Sequence, residues 1–319
     1  MTDEIRHISI VIPVFNEEGS LPQLKKELQD VMQSLAPLTA EVLFVDDGST
    51  DGSRALLRQF AAEDSRLKVL LFQRNYGQTA AMSCGIGEAT GDVIIPMDAD
   101  LQNDPADIPL LLAKVREGYS CVSGWRKNRQ DAFWSRTLPS RLANALITWM
   151  TGVRLHDYGC SLKAYRSNII KDVQLYGEMH RFIPAYAAWS GARVTEVAVN
   201  HRSRQYGVSK YGILRVFKVL LDLIVVKFLV RYFNRPMHFF GAIGMMGFFF
   251  GGLSLSASIL LKVTGLRSFI ETPLPVIGTM FIVLGVQFVL TGLLAEVLMR
   301  TYYGASQQRP YTIRERFNC

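Results

Sequence analysis

Two pairs of aspartates stand where strand-like runs end: Asp46-Asp47 follows Val42-Leu43-Phe44-Val45, and Asp98-Ala99-Asp100 follows Val93-Ile94-Ile95-Pro96-Met97. Two carboxylates one residue apart at the end of a buried strand can hold one divalent cation directly or through water, and hard oxygen ligands select Mg²⁺ or Mn²⁺. Asp98 and Asp100 are therefore the candidate metal residues. A cation held there would neutralise a pyrophosphate leaving group, a charge-stabilising role that supplies several kcal/mol. Asp46 and Glu17, at the ends of other strands, offer acceptors to base or ribose donors. Asp47, Ser49 and Asp51 suit turn formation and helix capping.

The elements that must position these groups are readable from periodicity. Ile8 to Val14 is a β-branched run of the kind that forms a buried parallel strand, with further strands at 41–45, 67–72 and 93–97. Helical patterns lie between them, at about 20–35, 49–60, 79–89 and 107–117, with Ser49, Thr50 or Asp51 as N-cap candidates for the second and Gly118 closing the last. Strands alternating with helices predict an α/β fold with a mainly parallel sheet covered on both faces. In such sheets ligands bind beyond the carboxyl ends of the strands, where both acidic pairs fall.

Composition divides the 319-residue chain. Charged and apolar residues mix up to about residue 205, whereas the sequence from Phe239 to Met299 is almost free of charge. Segments 239–261 and 274–299 are each long enough to cross a bilayer, which takes roughly 20 helical residues. The net charge of +7 concentrates between Arg193 and Arg235 and in the last residues, beside the apolar spans, which points to lipid headgroups rather than nucleic acid. Tyr211 to Tyr232 is apolar with a polar stripe at Arg215, Lys218 and Asp222, the pattern of helices lying in the membrane interface. The expected organisation is a catalytic domain at 1–208, interfacial helices at 209–236, a two-helix membrane region at 237–300 and a tail at 301–319. Lys227, Arg231 and Arg235 on one flank, with Arg300, Arg309, Arg314 and Arg316 on the other, place both termini and the N-terminal domain in the cytoplasm; the expected location is a bacterial-type inner membrane. The acidic start, Met1-Thr2-Asp3-Glu4, has no signal-peptide character. Glu296, near the end of the second span, reads as an interfacial carboxylate. Four scattered cysteines show neither paired spacing nor a zinc pattern and suit a reducing compartment. Glycines at 241, 244, 247, 251 and 252 suggest a packing surface for a homo-oligomer such as a tetramer.

The ordered motifs Pro13-Val14-Phe15-Asn16-Glu17, Val45-Asp46-Asp47-Gly48-Ser49-Thr50-Asp51, Arg74-Asn75-Tyr76-Gly77, Gly91-Asp92, Asp98-Ala99-Asp100-Leu101-Gln102 and Arg204-Gln205-Tyr206-Gly207-Val208-Ser209-Lys210 resemble the family-2 glycosyltransferases. Those enzymes have the nucleotide-diphosphosugar (GT-A) fold. Within that family the whole chain is similar to the polyprenyl-phosphate glycosyltransferases. The resemblance implies that Pro13, Phe15, Glu17 and Asp46 line a nucleotide pocket and that Asp98 and Asp100 face the metal and diphosphate. It also implies that Arg126 lies near the sugar and phosphates, and that Arg204 and Lys210 form a basic pair on a loop. An arginine fork and a lysine point charge suit a donor diphosphate, an acceptor phosphate or both in turn. Asp157, in Leu155-His156-Asp157-Tyr158-Gly159, is the candidate carboxylate near acceptor or sugar.

The expectation is inverting transfer of a single sugar, glucose from UDP-glucose first, to undecaprenyl phosphate or a similar lipid, with Mg²⁺ or Mn²⁺. Asp157, Asp100, Arg204 and Lys210 are the catalytic candidates. The alternatives are another donor, such as a modified arabinose or mannose, and a non-catalytic membrane scaffold of the same fold. Three departures qualify the resemblance. Phe15 replaces a common tyrosine, Gln78 stands where lysine is frequent, and the Gln-x-x-Arg-Trp signature of polymerising synthases is absent, which favours single-sugar transfer.

Overall fold

The computed structural model describes residues 4–127, 144, 147–148, 151–171, 182–202, 236–305 and 311–319. The β-branched runs become β1 (His7–Val14), β2 (Thr39–Asp46), β3 (Leu67–Phe72) and β4 (Val93–Pro96), each almost wholly buried. Between and after them lie α1 (Leu21–Ser34), α2 (Ser53–Glu63), α3 (Gln78–Glu88) and α4 (Ile108–Arg116). The chain continues through β5 (Cys121–Trp125), β6 (Lys163–Arg166), the short helices α5 (Ser167–Ile170) and α6 (Ile183–Trp189), and β7 (Val194–Ala198). Two long helices follow, α7 (Pro236–Val263) and α8 (Leu274–Ala305), and a last strand, β8 (Ile313–Phe317).

The strands form one sheet in the order β7-β5-β6-β4-β1-β2-β3-β8. Its centre, β4-β1-β2-β3, is parallel, as the continuous apolar runs require of strands covered on both faces. Beyond that centre the sheet is mixed: β6 runs antiparallel to β4 and β5, and β8 antiparallel to β3. The chain lays β2 and β3 on one side of β1 and then returns to place β4 on the other. This reversal makes the crevice beyond the carboxyl ends of β1 and β4 the switch point of the sheet. Val14 pairs with Asp46 and Val11 with Pro96, so Asp46 and the segment that follows β4 emerge at the same edge.

Two boundaries differ from the sequence reading. The second helix begins at Ser53, with Gly52 at the N-cap, because Ser49 and Asp51 are engaged in a loop instead. Ser49 Oγ accepts from Asn16 N at 2.9 Å, and Asp51 accepts from Glu18 N at 3.2 Å and Ser53 N at 3.1 Å. The second difference is at the C-terminus, where the expected tail contains β8. Arg58 makes a two-pronged contact with Glu315 at 2.9 and 3.0 Å, and Asn318 donates to the Ala61 and Leu67 carbonyls at 2.7 and 3.0 Å. A strand there covers the otherwise open edge of β3.

Residues Lys227–Gln308 form a separate compact unit. Within it Phe239–Val263 and Leu274–Ala295 are long and apolar enough to cross a membrane. α7 and α8 pack antiparallel through glycines. A Cβ at Gly244, Gly247 or Gly251 would come within 2.9 Å of the carbonyl oxygen of Gly285, Phe281 or Gly278, respectively. Three of the glycines expected to serve self-association are thus occupied inside the hairpin. The expected interfacial helices at 209–235 lie outside the described residues, as does the side chain of Glu296.

Candidate active site

The two acidic pairs meet different surroundings. Asp46 is fully buried: Arg54 Nε donates to its Oδ2 at 2.8 Å, and the amides of Gly48 and Ser49 donate at 3.2 Å. Arg54 also donates to the Phe72 carbonyl at 2.8 Å, tying β2, α2 and β3 together. Asp47, 3% exposed, accepts from Tyr76 N at 2.7 Å and Gly77 N at 2.9 Å, holding the loop that opens α3. Burial raises the pKa of Asp47, and the two amide bonds work against that rise. The loops approach so closely that Gly48, at φ +80°, has no room for a side chain: a Cβ would lie 2.4 Å from Asn75 N.

Asp98 and Asp100 emerge after β4. Asp98 is half-buried, and its Oδ1 accepts from Gln78 Nε2 at 2.8 Å. Asp100 is 9% exposed, and its Oδ1 accepts from Gln102 N at 3.2 Å. Between them and the next turn, Leu101 adopts φ +62° while 2% exposed, a conformation that costs a bulky residue about 1–3 kcal/mol and is tolerated where the surroundings over-determine it. Nothing in the sequence announced it. Among the described residues no three His, Cys, Asp or Glu side chains converge to enclose a cation. Two hard carboxylate donors fit Mg²⁺ or Mn²⁺, which Asp98 and Asp100 would hold.

Arg126 and Asp157, predicted separately, form one unit. Arg126 Nε and Nη2 donate to Asp157 Oδ2 and Oδ1 at 2.6 and 2.9 Å, the fork geometry of a strong charge-assisted pair. Burial opposes the guanidinium charge, but the bond to Asp157 outweighs it and the Arg126 pKa is raised; Asp98 adds to the attraction from farther away. The Asp157 loop is itself anchored, because Gly159 N donates to Asp157 Oδ1 at 3.0 Å and the buried Lys163 Nζ donates to the Tyr158 carbonyl at 3.1 Å. Burial lowers the pKa of Lys163. His156, read as structural or surface, stacks on Trp125 with centroids 4.4 Å apart and bonds to Glu196.

At the end of β1, Pro13 is buried and Phe15 and Glu17 are half-buried. Glu17 accepts from Ser20 Oγ at 2.9 Å, and Asn16 at φ +58° accepts from Thr50 N at 2.8 Å, stitching this turn to the loop after β2. Arg204 and Lys210 lie outside the described residues. The chain leading to them is pinned beside the Asp98–Asp100 loop: Arg202 N donates to the Gln102 carbonyl at 3.0 Å, and its guanidinium pairs with Asp104 and Glu27 at 2.8 Å. Sequence reasoning missed Arg54 and Arg202, and noted Gln78 only as a departure from the family pattern. Arg54 lies eight residues past Asp46, and only the fold brings it back.

This arrangement has known counterparts. Residues 9–174 match Glycosyl transferase family 2. Over 98% of its length the chain is 45% identical to the dodecaprenyl-phosphate galacturonate synthase of Rhizobium johnstonii, covering 93% of that protein. It is 38% identical, over 97% of the chain and 93% of the relative, to the undecaprenyl-phosphate 4-deoxy-4-formamido-L-arabinose transferase of Klebsiella pneumoniae. Among solved structures, glucosyl-3-phosphoglycerate synthase from Mycobacterium tuberculosis in complex with Mn²⁺, UDP and glucosyl-3-phosphoglycerate aligns with a TM-score of 0.52 at 17% identity, over 71% of this chain and 80% of that one. That likeness carries the fold: a GT-A sheet with the acidic segment after β4 at its switch point. A family match over half the chain, joined by full-length identity to polyprenyl-phosphate sugar transferases, makes the chain a member of glycosyltransferase family 2, of the polyprenyl-phosphate glycosyltransferase type.

Proposed function

We propose that this enzyme transfers one sugar from a UDP-sugar to the phosphate of a polyprenyl phosphate at the membrane surface, inverting the anomeric configuration. The observation that carries the reading is the convergence of Asp98, Asp100 and the Arg126–Asp157 pair on the switch-point edge, in a chain that matches polyprenyl-phosphate sugar transferases over nearly its whole length. The lipid phosphate oxygen attacks the anomeric carbon, the bond from that carbon to the UDP oxygen breaks, and UDP leaves with the electron pair. A Mg²⁺ or Mn²⁺ ion on Asp98 and Asp100 would supply charge neutralisation to the diphosphate.

The acceptor phosphate is already an anion at neutral pH, so the reaction needs no strong base. Asp157 then serves by aiming Arg126, whose fork it occupies with both oxygens, and Arg126 supplies positive charge near the diphosphate. Pro13, Phe15, Glu17 and Asp46 are assigned to the nucleotide side of the site, Asp46 through the shape of its turn. Arg204 and Lys210 are assigned to the phosphates of donor or acceptor.

For the sugar, identity of 45% to a galacturonate synthase favours UDP-galacturonate, with UDP-glucose, the expectation from sequence, as the second reading. The formamido-arabinose relatives keep modified arabinose in the test panel. Placement of the enzyme in an inner membrane with its catalytic domain in the cytoplasm is supported by β8. The chain that follows the two apolar helices returns to the same sheet as β8, which suits an even number of spans between the two parts of that domain, and the arginine-rich flanks of the spans favour the cytoplasmic side.

The test is UDP release by the purified full-length protein, given UDP-galacturonate, UDP-glucose or UDP-formamido-arabinose with Mn²⁺, with and without undecaprenyl phosphate. Mass spectrometry then reads the lipid. Lipid-dependent release with a uronate-sized gain in mass is the expected result. A hexose-sized gain selects the second reading, and no lipid-dependent release with any donor overturns the proposal.

A further inference from the structure

Gln78 holds a place that the motif reading does not explain. It is the first residue of α3, whose N-cap, Gly77, makes no side-chain capping bond, and Gln78 sends its side-chain amide across to Asp98 instead. The carboxylate only accepts, so the group 2.8 Å from Asp98 Oδ1 is the NH₂ of the amide and not its oxygen. Asp98 Oδ2 has no hydrogen-bond partner among the described residues.

The platform beneath Gln78 is rigid. α3 lies so close to the sheet that a Cβ at Gly85 would meet Val11 Cγ1 at 2.4 Å, and Ala81, Met82, Cys84 and Ile86 are buried along the same helix. Its entry is clamped by the bonds from Tyr76 N and Gly77 N to Asp47. A donor so placed on a packed helix orients the carboxylate it touches, as outer-shell partners orient metal ligands elsewhere.

We propose that Gln78 is a positioning residue for the metal site: by holding Asp98 Oδ1 it fixes the carboxylate with Oδ2 available to a divalent cation, and so sets the affinity for Mn²⁺ or Mg²⁺. The proposal rests on the reading that Asp98 and Asp100 hold a cation. Being neutral, the amide donates to Asp98 without adding a positive charge that would compete with the ion, which a lysine at the same position would do.

The test is a titration of full-length, detergent-solubilised protein with Mn²⁺ in the presence of UDP and no acceptor, with free Mn²⁺ read by its electron paramagnetic resonance signal. Gln78→Met preserves the length of the side chain and removes the donor, and Gln78→Ala is the second variant should Met disturb the fold. The expected result is a Mn²⁺ Kd weaker by about 10-fold, within the range for loss of an outer-shell partner, at an unchanged thermal midpoint. A Kd within about twofold of wild type in a variant that keeps its thermal midpoint overturns the role of Gln78. Asp98→Ala separates the two readings. If it abolishes a binding event that Gln78→Met leaves intact, only the Gln78 proposal fails; if wild type and Asp98→Ala titrate alike, the metal reading fails and the proposal with it.

Discussion

The acidic pairs after β2 and β4 are similar in sequence and differ in their surroundings. Asp46 and Asp47 spend their oxygens inside the protein, on Arg54 and on amides of their own turn and of the loop before α3. Asp98 takes one bond from a neutral amide and stands half-exposed at the switch point of the sheet. A carboxylate satisfied by a partly buried guanidinium and backbone amides stabilises the fold and has little left for a ligand. One held by a single neutral donor keeps its charge for a cation. Hydrogen-bond accounting, rather than residue type, separates the two.

That contrast breaks most visibly at the pair after β4. Asp98→Asn or Asp100→Asn should lower lipid-dependent UDP release by about a thousandfold, the scale of charge stabilisation by a metal, while leaving the thermal midpoint near wild type. An unfolded variant would mean that this pair too is structural. Next comes the buried fork: Arg126→Met removes the guanidinium that pairs with Asp157, 3% exposed, and should cost about 3–5 kcal/mol of stability together with activity. Arg126→Lys keeps the charge without the fork, and thermal melts beside rates should show stability recovering more than turnover does.

A further carboxylate sharpens the comparison from the opposite edge of the sheet. Glu41 accepts from Ser9 Oγ, Lys68 Nζ and Thr90; burial pushes its pKa up, but these partners outweigh it and bring it to about 2. A pKa depressed in the folded state gives stability that is present above the unfolded value and is lost as pH falls. Glu41 should therefore account for about 3 kcal/mol of the stability that wild type loses on acidification through about pH 2. Glu41→Gln should lose about that much less than wild type across the same window and should keep its rate of transfer at neutral pH, which acid melts and UDP release would check.

Asp47 gives the smallest effect and the opposite sign. Its pKa is raised by burial, so its titration contributes stability that is full below the unfolded value and declines as pH rises through the folded one. Asp47→Asn should remove that decline, whereas Asp47→Ala should cost about 1–3 kcal/mol by leaving the amides of residues 76 and 77 unsatisfied.

Much of the fold was legible because its central strands are short β-branched runs between helical periods, and the two apolar spans exceed what a soluble helix needs. Asp98 and Asp100 could be singled out because an Asp-x-Asp ends a buried run and leads into Leu101-Gln102, a motif that resembles the family's. Pairings across the fold were not legible. Asp46 looked as open as Asp98 until α2 brought Arg54 to it, and Arg126 and Asp157 were read apart because 31 residues separate them. β8 escaped notice because Ile-Arg-Glu-Arg-Phe becomes a strand only when the edge of β3 is there to pair with it.

The most direct measurement is the coupling between nucleotide and metal: calorimetric titration of UDP into wild type and into Asp98→Ala, each with and without Mn²⁺. If Asp98 and Asp100 hold the cation against the diphosphate, Mn²⁺ should tighten UDP binding by about tenfold in wild type and leave Asp98→Ala unchanged. Equal UDP affinity with and without Mn²⁺ in wild type, or a gain that survives in Asp98→Ala, would contradict the account.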